Sequence, residues 1–381
     1  MFYIVRRTTR AASLAILLLL AIFGPLAAVS QPNQAIVLTG TITDADTGLP
    51  LAGAHVFIAT SMNGTTTNLE GHYRLERVPT GALRLYVSML GYEPQFEDLL
   101  LRQARVYTFN YALEEKILEV GEVTVEAERD DRWAERLARF TSLFIGESPN
   151  SSEVTIINPE ILDFAESGGA LTAVAAGPIE IENRALGYTI QYFLSDFRAE
   201  PMRTQYDGEP LYTELKPSSP EEAERWRLKR NEAFMGSFRH FLLSLISNRI
   251  KGQGFKTYSR PGMNRSPAGT FEGGSGINSR FPIDPEKLFV QGETATEYLL
   301  NFEGYIEIAY MGEVEHPSYA KWSGAFGRRG ERFQTSWIIM ERGPTTIDYK
   351  GDILDPYGVT FSGYLAFERV ADEVPKEYRP R

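Results

Sequence analysis

Four histidines, no cysteine and a scatter of carboxylates are the reactive groups of this 381-residue chain, and their spacing limits the chemistry open to it. His55, His72, His240 and His316 stand in the segments HVFI, HYRL, HFLL and HPSY. A zinc hydrolase needs a His-x-x-Glu pair on one helical turn and a distant third ligand, because the metal requires preset ligands and one open position. None of the four histidines has that glutamate, and there is no HExxH helix. With no cysteine, thiol catalysis, thiolate metal sites and a disulfide framework are all excluded. The nearest serine-hydrolase elbow, Gly273-Gly274-Ser275-Gly276-Ile277, lacks the final glycine and sits in a loop-like stretch, so it reads as flexible linker. No phosphate-binding or dinucleotide glycine pattern precedes a helix, and no cofactor is expected.

Two weaker constellations remain. Asp44-x-Asp46-x-Gly48 places carboxylates at alternate positions, as a calcium loop does, but the third acidic position and the distal glutamate are missing; capping of a turn is the preferred reading. Arg239-His240 sets a cation beside a titratable ring on a helix that could face a polar pocket, against the plainer reading of a satisfied histidine at the edge of a core. The 19 tyrosines and 4 tryptophans could stack on sugars, although most belong in sheet cores.

The elements that position these residues are mostly strands. Ile36, Leu38, Gly40 and Ile42 alternate, Asp44 to Gly48 supplies a turn, and Ala54, Val56 and Ile58 form the next inward row with His55 and Phe57 opposite. Asn63-Gly64 and Asn68 to Gly71 signal further turns before Tyr73 and Leu75. Leu83, Leu85, Val87 and Met89 alternate with Arg84, Tyr86 and Ser88, which predicts a half-buried strand, and Tyr107, Phe109, Tyr111 and Leu113 repeat the pattern. Short strands punctuated in this way predict an antiparallel β-sandwich rather than βαβ units.

These residues resemble the carboxypeptidase regulatory-like domain, a prealbumin-like (transthyretin-like) sandwich. The resemblance rests on Gly40-x-Ile42-x-Asp44, Thr47-Gly48-x-Pro50-Leu51-x-Gly53-Ala54-x-Val56, Thr67-Asn68-x-x-Gly71-x-Tyr73-x-Leu75, Pro79-x-Gly81 and Gly91-Tyr92. It implies an accessory module of the kind that follows zinc carboxypeptidase domains or precedes the plug and barrel of outer-membrane receptors, with no catalytic residues of its own. Glu114 to Glu128 looks like the strand that leads towards a receptor plug, but the rest of the chain lacks a long series of alternating membrane strands, which argues against a receptor barrel.

Residues 1–30 read as a signal peptide: Arg6, Arg7 and Arg10, an apolar run from Ala11 to Phe23, a Gly24-Pro25 break and small residues to Ser30. The run is shorter than the ~20 residues that span a bilayer, so cleavage after Ser30 is expected. Membrane contact is then expected only through that segment before cleavage. With no cysteine, no lipid anchor follows. The net charge of -11 repels phosphate backbones and argues against nucleic acid as a partner. Export to a bacterial periplasm, outer membrane or cell surface follows from these readings.

Beyond a carboxypeptidase regulatory-like sandwich at 36–128, a helical linker is expected at 129–152, with Trp133, Leu137, Phe140 and Phe144 at helical spacing. A β-rich α+β domain of unknown function follows at 153–381, with strands at Val154 to Ile157, Leu171 to Ala175, Ile179 to Glu182 and Tyr188 to Phe193. One long helix is expected from a capping box at Ser219-Pro220-Glu221-Glu222 to about Ile250. Gly252 to Arg280 reads as a solvated loop, and strands return at Tyr298 to Phe302, Tyr305 to Tyr310, Phe333 to Met340, Thr345 to Tyr349 and Tyr364 to Phe367. The segments Ile157 to Glu160, Ile181 to Tyr188, Gly236 to Leu242 and Phe367 to Asp372 are similar to those of exported proteins that pair this sandwich with an uncharacterised C-terminal region. The fold class is therefore mostly β, a sandwich followed by an α+β part, and the expected function is a non-catalytic envelope protein that binds an envelope protein or glycan or has a structural role. The alternatives are a hydrolase of envelope peptide or glycan working through C-terminal carboxylates, or an accessory subunit of an outer-membrane uptake complex.

Overall fold

The first eight strands are short because a turn signal interrupts each apolar run after a few residues. They are β1 (Ile36–Asp44), β2 (His55–Ile58), β3 (Gly64–Thr66), β4 (His72–Val78), β5 (Gly81–Ser88), β6 (Gln95–Leu101), β7 (Val106–Thr108) and β8 (Tyr111–Leu113). In the computed structural model, which describes residues 36–116, 132–201, 203–261, 263–265, 271–273, 279–292, 298–324, 332–348 and 350–380, they form two facing sheets. The expected signal segment, the strand beyond residue 116, Asp131 and Ser275 lie outside the described residues. One sheet has the order β4-β1-β7 with β8 also on β1, and the other β3-β2-β5-β6. Most pairings are antiparallel; β7 and β8 run parallel to β1, because the chain crosses from the second sheet back to the first after β6. The core between the sheets holds Leu38, Ile42, Val56, Leu75, Leu83 and Leu85. Position 40, in the inward row of β1, requires glycine because a Cβ there would lie 1.7 Å from the carbonyl oxygen of Phe109.

Two expectations for the sandwich change. β5 is buried on both faces, with Arg84 8% and Tyr86 3% exposed, since the remainder of the chain covers the sheet's outer side. The β2–β3 connection is longer than a two-residue Asn-Gly turn: residues 59–63 bulge out, Thr60 takes φ +57°, and Ser61 Oγ donates to Ile58 O at 2.7 Å while accepting from Asn63 N–H at 3.0 Å.

Helix α1 (Trp133–Phe144) lays Phe140 and Phe144 on a six-stranded sheet built from β9 (Val154–Ile156), β10 (Leu162–Ser167), β11 (Ala170–Ala175), β12 (Ile179–Asn183), β13 (Tyr188–Glu200) and β14 (Arg203–Glu214). Its order is β10-β11-β13-β12-β9, and the long β13–β14 hairpin extends beyond it towards the sandwich. The ring of Phe140 lies 4.7 Å from that of Phe197 and that of Phe144 lies 4.8 Å from that of Tyr192, both edge-on, so the apolar stripe of α1 packs on the sheet.

The single helix expected from Ser219 is two: α2 (Pro220–Phe234) and α3 (Phe238–Ile246). Ser219 Oγ accepts from Glu222 N–H at 3.2 Å, as the capping box requires, but Gly236 at φ +84° ends the first helix and Ser237 caps the second. Helix α3 buries Phe241, Leu242 and Leu245 with the residues of a five-stranded sheet of order β18-β15-β21-β22-β24. The strands of this last part are β15 (Phe255–Ser259), β16 (Met263–Arg265), β17 (Phe271–Gly273), β18 (Phe281–Pro282), β19 (Phe289–Gln291), β20 (Tyr298–Leu300), β21 (Tyr305–Val314), β22 (Phe333–Met340), β23 (Thr345–Ile347) and β24 (Val359–Gly363). Thus the start of the expected loop at Gly252 to Arg280 is a central strand, anchored by Phe255 at 1% exposure. A short helix α4 (Pro317–Trp322) precedes β22, and the expected strand at Tyr364 is instead helix α5 (Tyr364–Phe367), which turns the chain so that residues 368–380 run back along α3 and β14.

Candidate functional site: a buried polar seam

The seam starts from an apolar contact between the two parts. On the outer face of the second sandwich sheet, Phe57 and Tyr86 meet Phe193 of β13 at ring distances of 4.9 and 6.0 Å, with Leu211 of β14 beside them. Alternation on β5 sets Arg84 next to this contact. Its Nε and Nη2 donate to Asp98 at 2.8 and 3.1 Å, and its Nη1 reaches Glu209 of β14 at 3.3 Å. Burial and the two acids act oppositely on Arg84, and the acids win, raising its pKa. Glu209 is pushed up to about 7, chiefly by burial, with Lys376 and Arg84 working against the rise.

The backbone of the 59–63 bulge is gripped from two sides. Tyr212 N–H donates to Ser61 O at 2.9 Å from β14, and Lys376 N–H donates to Thr60 O at 2.9 Å from the C-terminal segment. Met62 N–H donates to Glu377 Oε2 at 3.1 Å. The same segment is held along its length. Asp372 Oδ1 accepts from Ser148 Oγ and Asn150 Nδ2, both at 2.9 Å, Asn183 Nδ2 donates to Ala371 O at 3.0 Å, and Arg239 Nη1 donates to Val374 O at 2.7 Å. Lys376 is 3% exposed, and its Nζ sits 2.8 Å from Asp348 Oδ2 and 3.8 Å from Asp352 Oδ2. Burial disfavours its charge, but Asp348, Asp352 and Glu209 outweigh that and raise its pKa.

Several acids here titrate above their usual range. Glu373 is pushed up to about 7 by burial and by Asp352, while the Tyr212 hydroxyl, 3.4 Å from its Oε2, holds it down. Asp352 is raised by burial, and Glu368 and Asp372 by burial first, with Asp372 adding repulsion to Glu368. Raised carboxyls of this kind can serve acid–base chemistry when a substrate reaches them. Two surface depressions, one on α2 around Glu224 and Leu228 and one between α1 and α4 around Leu137 and Lys321, have none of these acids in their walls.

The residues singled out from the sequence fall in separate places. Asp44 is a turn cap: its Oδ1 accepts from Asp46 N–H at 3.0 Å and from Thr47 N–H and Oγ1 at 2.7 and 2.8 Å, and its Oδ2 accepts from the Tyr92 hydroxyl at 2.9 Å. The Thr47 bonds foremost hold its pKa below the usual range. Asp46 points outward, and among the described residues no three His, Asp or Glu side chains are grouped to hold a metal ion. Arg239 and His240, neighbours in sequence, face different surroundings because successive helical residues diverge by about 100°. Arg239 turns to the C-terminal segment. His240 enters the core, 4.8 Å from the ring of Phe255, where Nδ1 accepts from Gly236 N–H at 3.1 Å and Nε2 donates to Gln253 Oε1 at 3.1 Å. That pattern is a neutral ring, and burial lowers its pKa. Glu209, Glu373 and Lys376 were not singled out from the sequence; the one signal was the setting of Glu373 and Lys376 among Val370, Ala371, Val374 and Pro375.

Residues 38–125 match the family model described as the CarboxypepD_reg-like domain. The chain carries a carboxypeptidase regulatory-like domain. No curated protein matches the chain. Among solved structures, it is similar to a type II cohesin–X-dockerin complex from Acetivibrio cellulolyticus, at 17% identity over 20% of this chain and 53% of that one, TM-score 0.18. It is similar to catechol 1,2-dioxygenase from Acinetobacter sp. ADP1 at 18% identity over 23% of this chain and 55% of that one, TM-score 0.18. A 9R-lipoxygenase from Cyanothece PCC8801 aligns at 10% identity over 64% of this chain and 54% of its own length, TM-score 0.18. The chain thus spans about half the length of these structures, and likenesses at this level assign it no activity.

Proposed function

We propose that this is an exported, non-catalytic protein of the bacterial envelope, in which the carboxypeptidase regulatory-like sandwich at 36–128 and the β-rich region at 153–381 form one rigid body that binds an envelope protein or glycan or has a structural role. The observation that carries the reading is the use of the seam acids: Arg84 engages Glu209 across the junction, and Lys376, Tyr212, Ser148 and Asn150 engage Asp348, Glu373 and Asp372 next to it. Groups held in this way stiffen a scaffold. Crosslinking and pull-down from periplasmic and membrane fractions tests it, with N-terminal mass measurement of the mature chain. A mature start near Gln31 and recovery of a defined envelope partner are expected. An intact Met1, or no partner and no glycan, would overturn the reading.

The raised carboxyls favour one second reading, a hydrolase of envelope peptide or glycan. It requires turnover of cell-wall fragments that disappears in Glu373→Gln or Glu209→Gln while the fold is retained.

A further inference from the structure

One edge of the Arg239 guanidinium meets no protein acceptor. Nη1 is bonded to Val374 O, and the group lies 5.2 Å from the centre of the Phe234 ring, so its plane is held in place. Nε and Nη2 are shielded from solvent and donate to no protein atom. Those two N–H groups point the same way and form the pair with which a guanidinium grips an oxyanion side-on. Arg84 shows that grip within this molecule, its Nε and Nη2 holding the two oxygens of Asp98. Buried donors of this strength demand an acceptor.

The surroundings suit an anion. Arg379 and Lys350 are near enough to add to the repulsion felt at Arg239 and at each other, and burial together with Arg379 lowers the pKa of Lys350. Asp352, the acid that most favours the charge on Arg239, accepts from Ile353 N–H at 3.0 Å through Oδ1 and lies 3.8 Å from Lys376 Nζ through Oδ2, and the other neighbouring acids are engaged as well. Asp348 Oδ1 accepts from the backbone N–H groups of Lys350 and Asp352 at 2.8 and 2.9 Å, its Oδ2 pairs with Lys376, and Glu377 accepts from Met62. Arg379 is exposed, with its Nη1 donating to Lys376 O at 3.0 Å and Tyr378 O at 2.7 Å, and Lys350 is half-buried.

We propose that the Nε–Nη2 edge of Arg239, rimmed by Lys350 and Arg379, is a binding site for a small oxyanion group. Carboxylate and phosphate share the chemistry, and the site stands whether or not the protein is exported. The test uses the full chain. Crystals soaked in selenate are expected to show anomalous density within hydrogen-bond distance of both nitrogens. Calorimetric titration with phosphate and with acetate is expected to reveal binding that falls about tenfold in Arg379→Ala, the loss of one charge-assisted contact, and vanishes in Arg239→Lys, which keeps the charge but not the paired donors. Because Arg239→Lys also disturbs the bond to Val374, the exposed Arg379→Ala variant keeps the test independent of folding. Tighter phosphate identifies a phosphate-bearing ligand, and tighter acetate a carboxylate-bearing one. Absence of selenate density at Arg239, or affinities unchanged in both variants, would overturn the proposal.

Discussion

Asp44 and Asp46 show how neighbouring acids take different roles. Asp44 accepts three bonds from its own turn and one from Tyr92, whereas Asp46 faces solvent. Asp44→Ala is therefore expected to lower the urea unfolding midpoint clearly, Asp46→Ala to leave it unchanged, and a chelator to shift neither; a chelator-sensitive melt would revive the calcium reading. The seam acids set a pH dependence. Glu209 and Glu373 titrate near 7 in the folded chain, above their unfolded value, so the folded state holds more protons between about pH 4.5 and 7 and stability falls as pH rises through that window. His240, depressed by burial, acts with the opposite sign, its contribution being lost as pH drops below about 6.5. A carboxyl moved from 4.5 to about 7 costs on the order of 3 kcal/mol once ionised, so the two glutamates outweigh one histidine. Urea midpoints should be higher at pH 5.5 than at pH 8, and the double variant Glu209→Gln, Glu373→Gln should flatten the difference; equal midpoints in the parent chain would refute the assignment.

At the scale of elements, the break between α2 and α3 is the clearest departure from the periodicity of the sequence. The apolar positions continue across it, which is why one helix was expected, but the backbone turns at Gly236. A Cβ there would lie 2.4 Å from Gln334 Oε1 and 2.8 Å from the Tyr310 ring, at φ +84°. Gly236→Ala is expected to destabilise the fold by roughly 2–4 kcal/mol, from the left-handed backbone and the overlap together, measured by urea denaturation. The break also aims the next helix. With Ser237 as its cap, α3 sends His240 inward and Arg239 to the C-terminal segment, two placements that one continuous helix would not have specified.

At the scale of the molecule, the sandwich and the β-rich region share a junction in which Phe193 packs against both Phe57 and Tyr86. Removing its ring should cost about 3–5 kcal/mol if the site does not collapse. Phe193→Ala is expected to separate thermal unfolding into two transitions where the parent chain shows one; a single unchanged transition would mean that the two parts are not coupled through this contact. The sandwich strands and the position of α1 were legible in the chain itself, because alternation and amphipathic spacing are local properties imposed by backbone geometry, whereas the β2–β3 connection departed from its expected tight turn. The seam was not. Arg84 and Tyr86 read as the wet face of a half-buried strand, and no motif in the sequence marked Glu373 or Lys376, because whether a polar side chain ends in water or in a junction depends on which distant surface covers it. Only the tertiary structure decided that β13, β14 and the C-terminal segment cover the outer face of β5, so that Arg84 pairs with Glu209 across the junction while Glu373 and Lys376 pair with Tyr212 and Asp348 beside it.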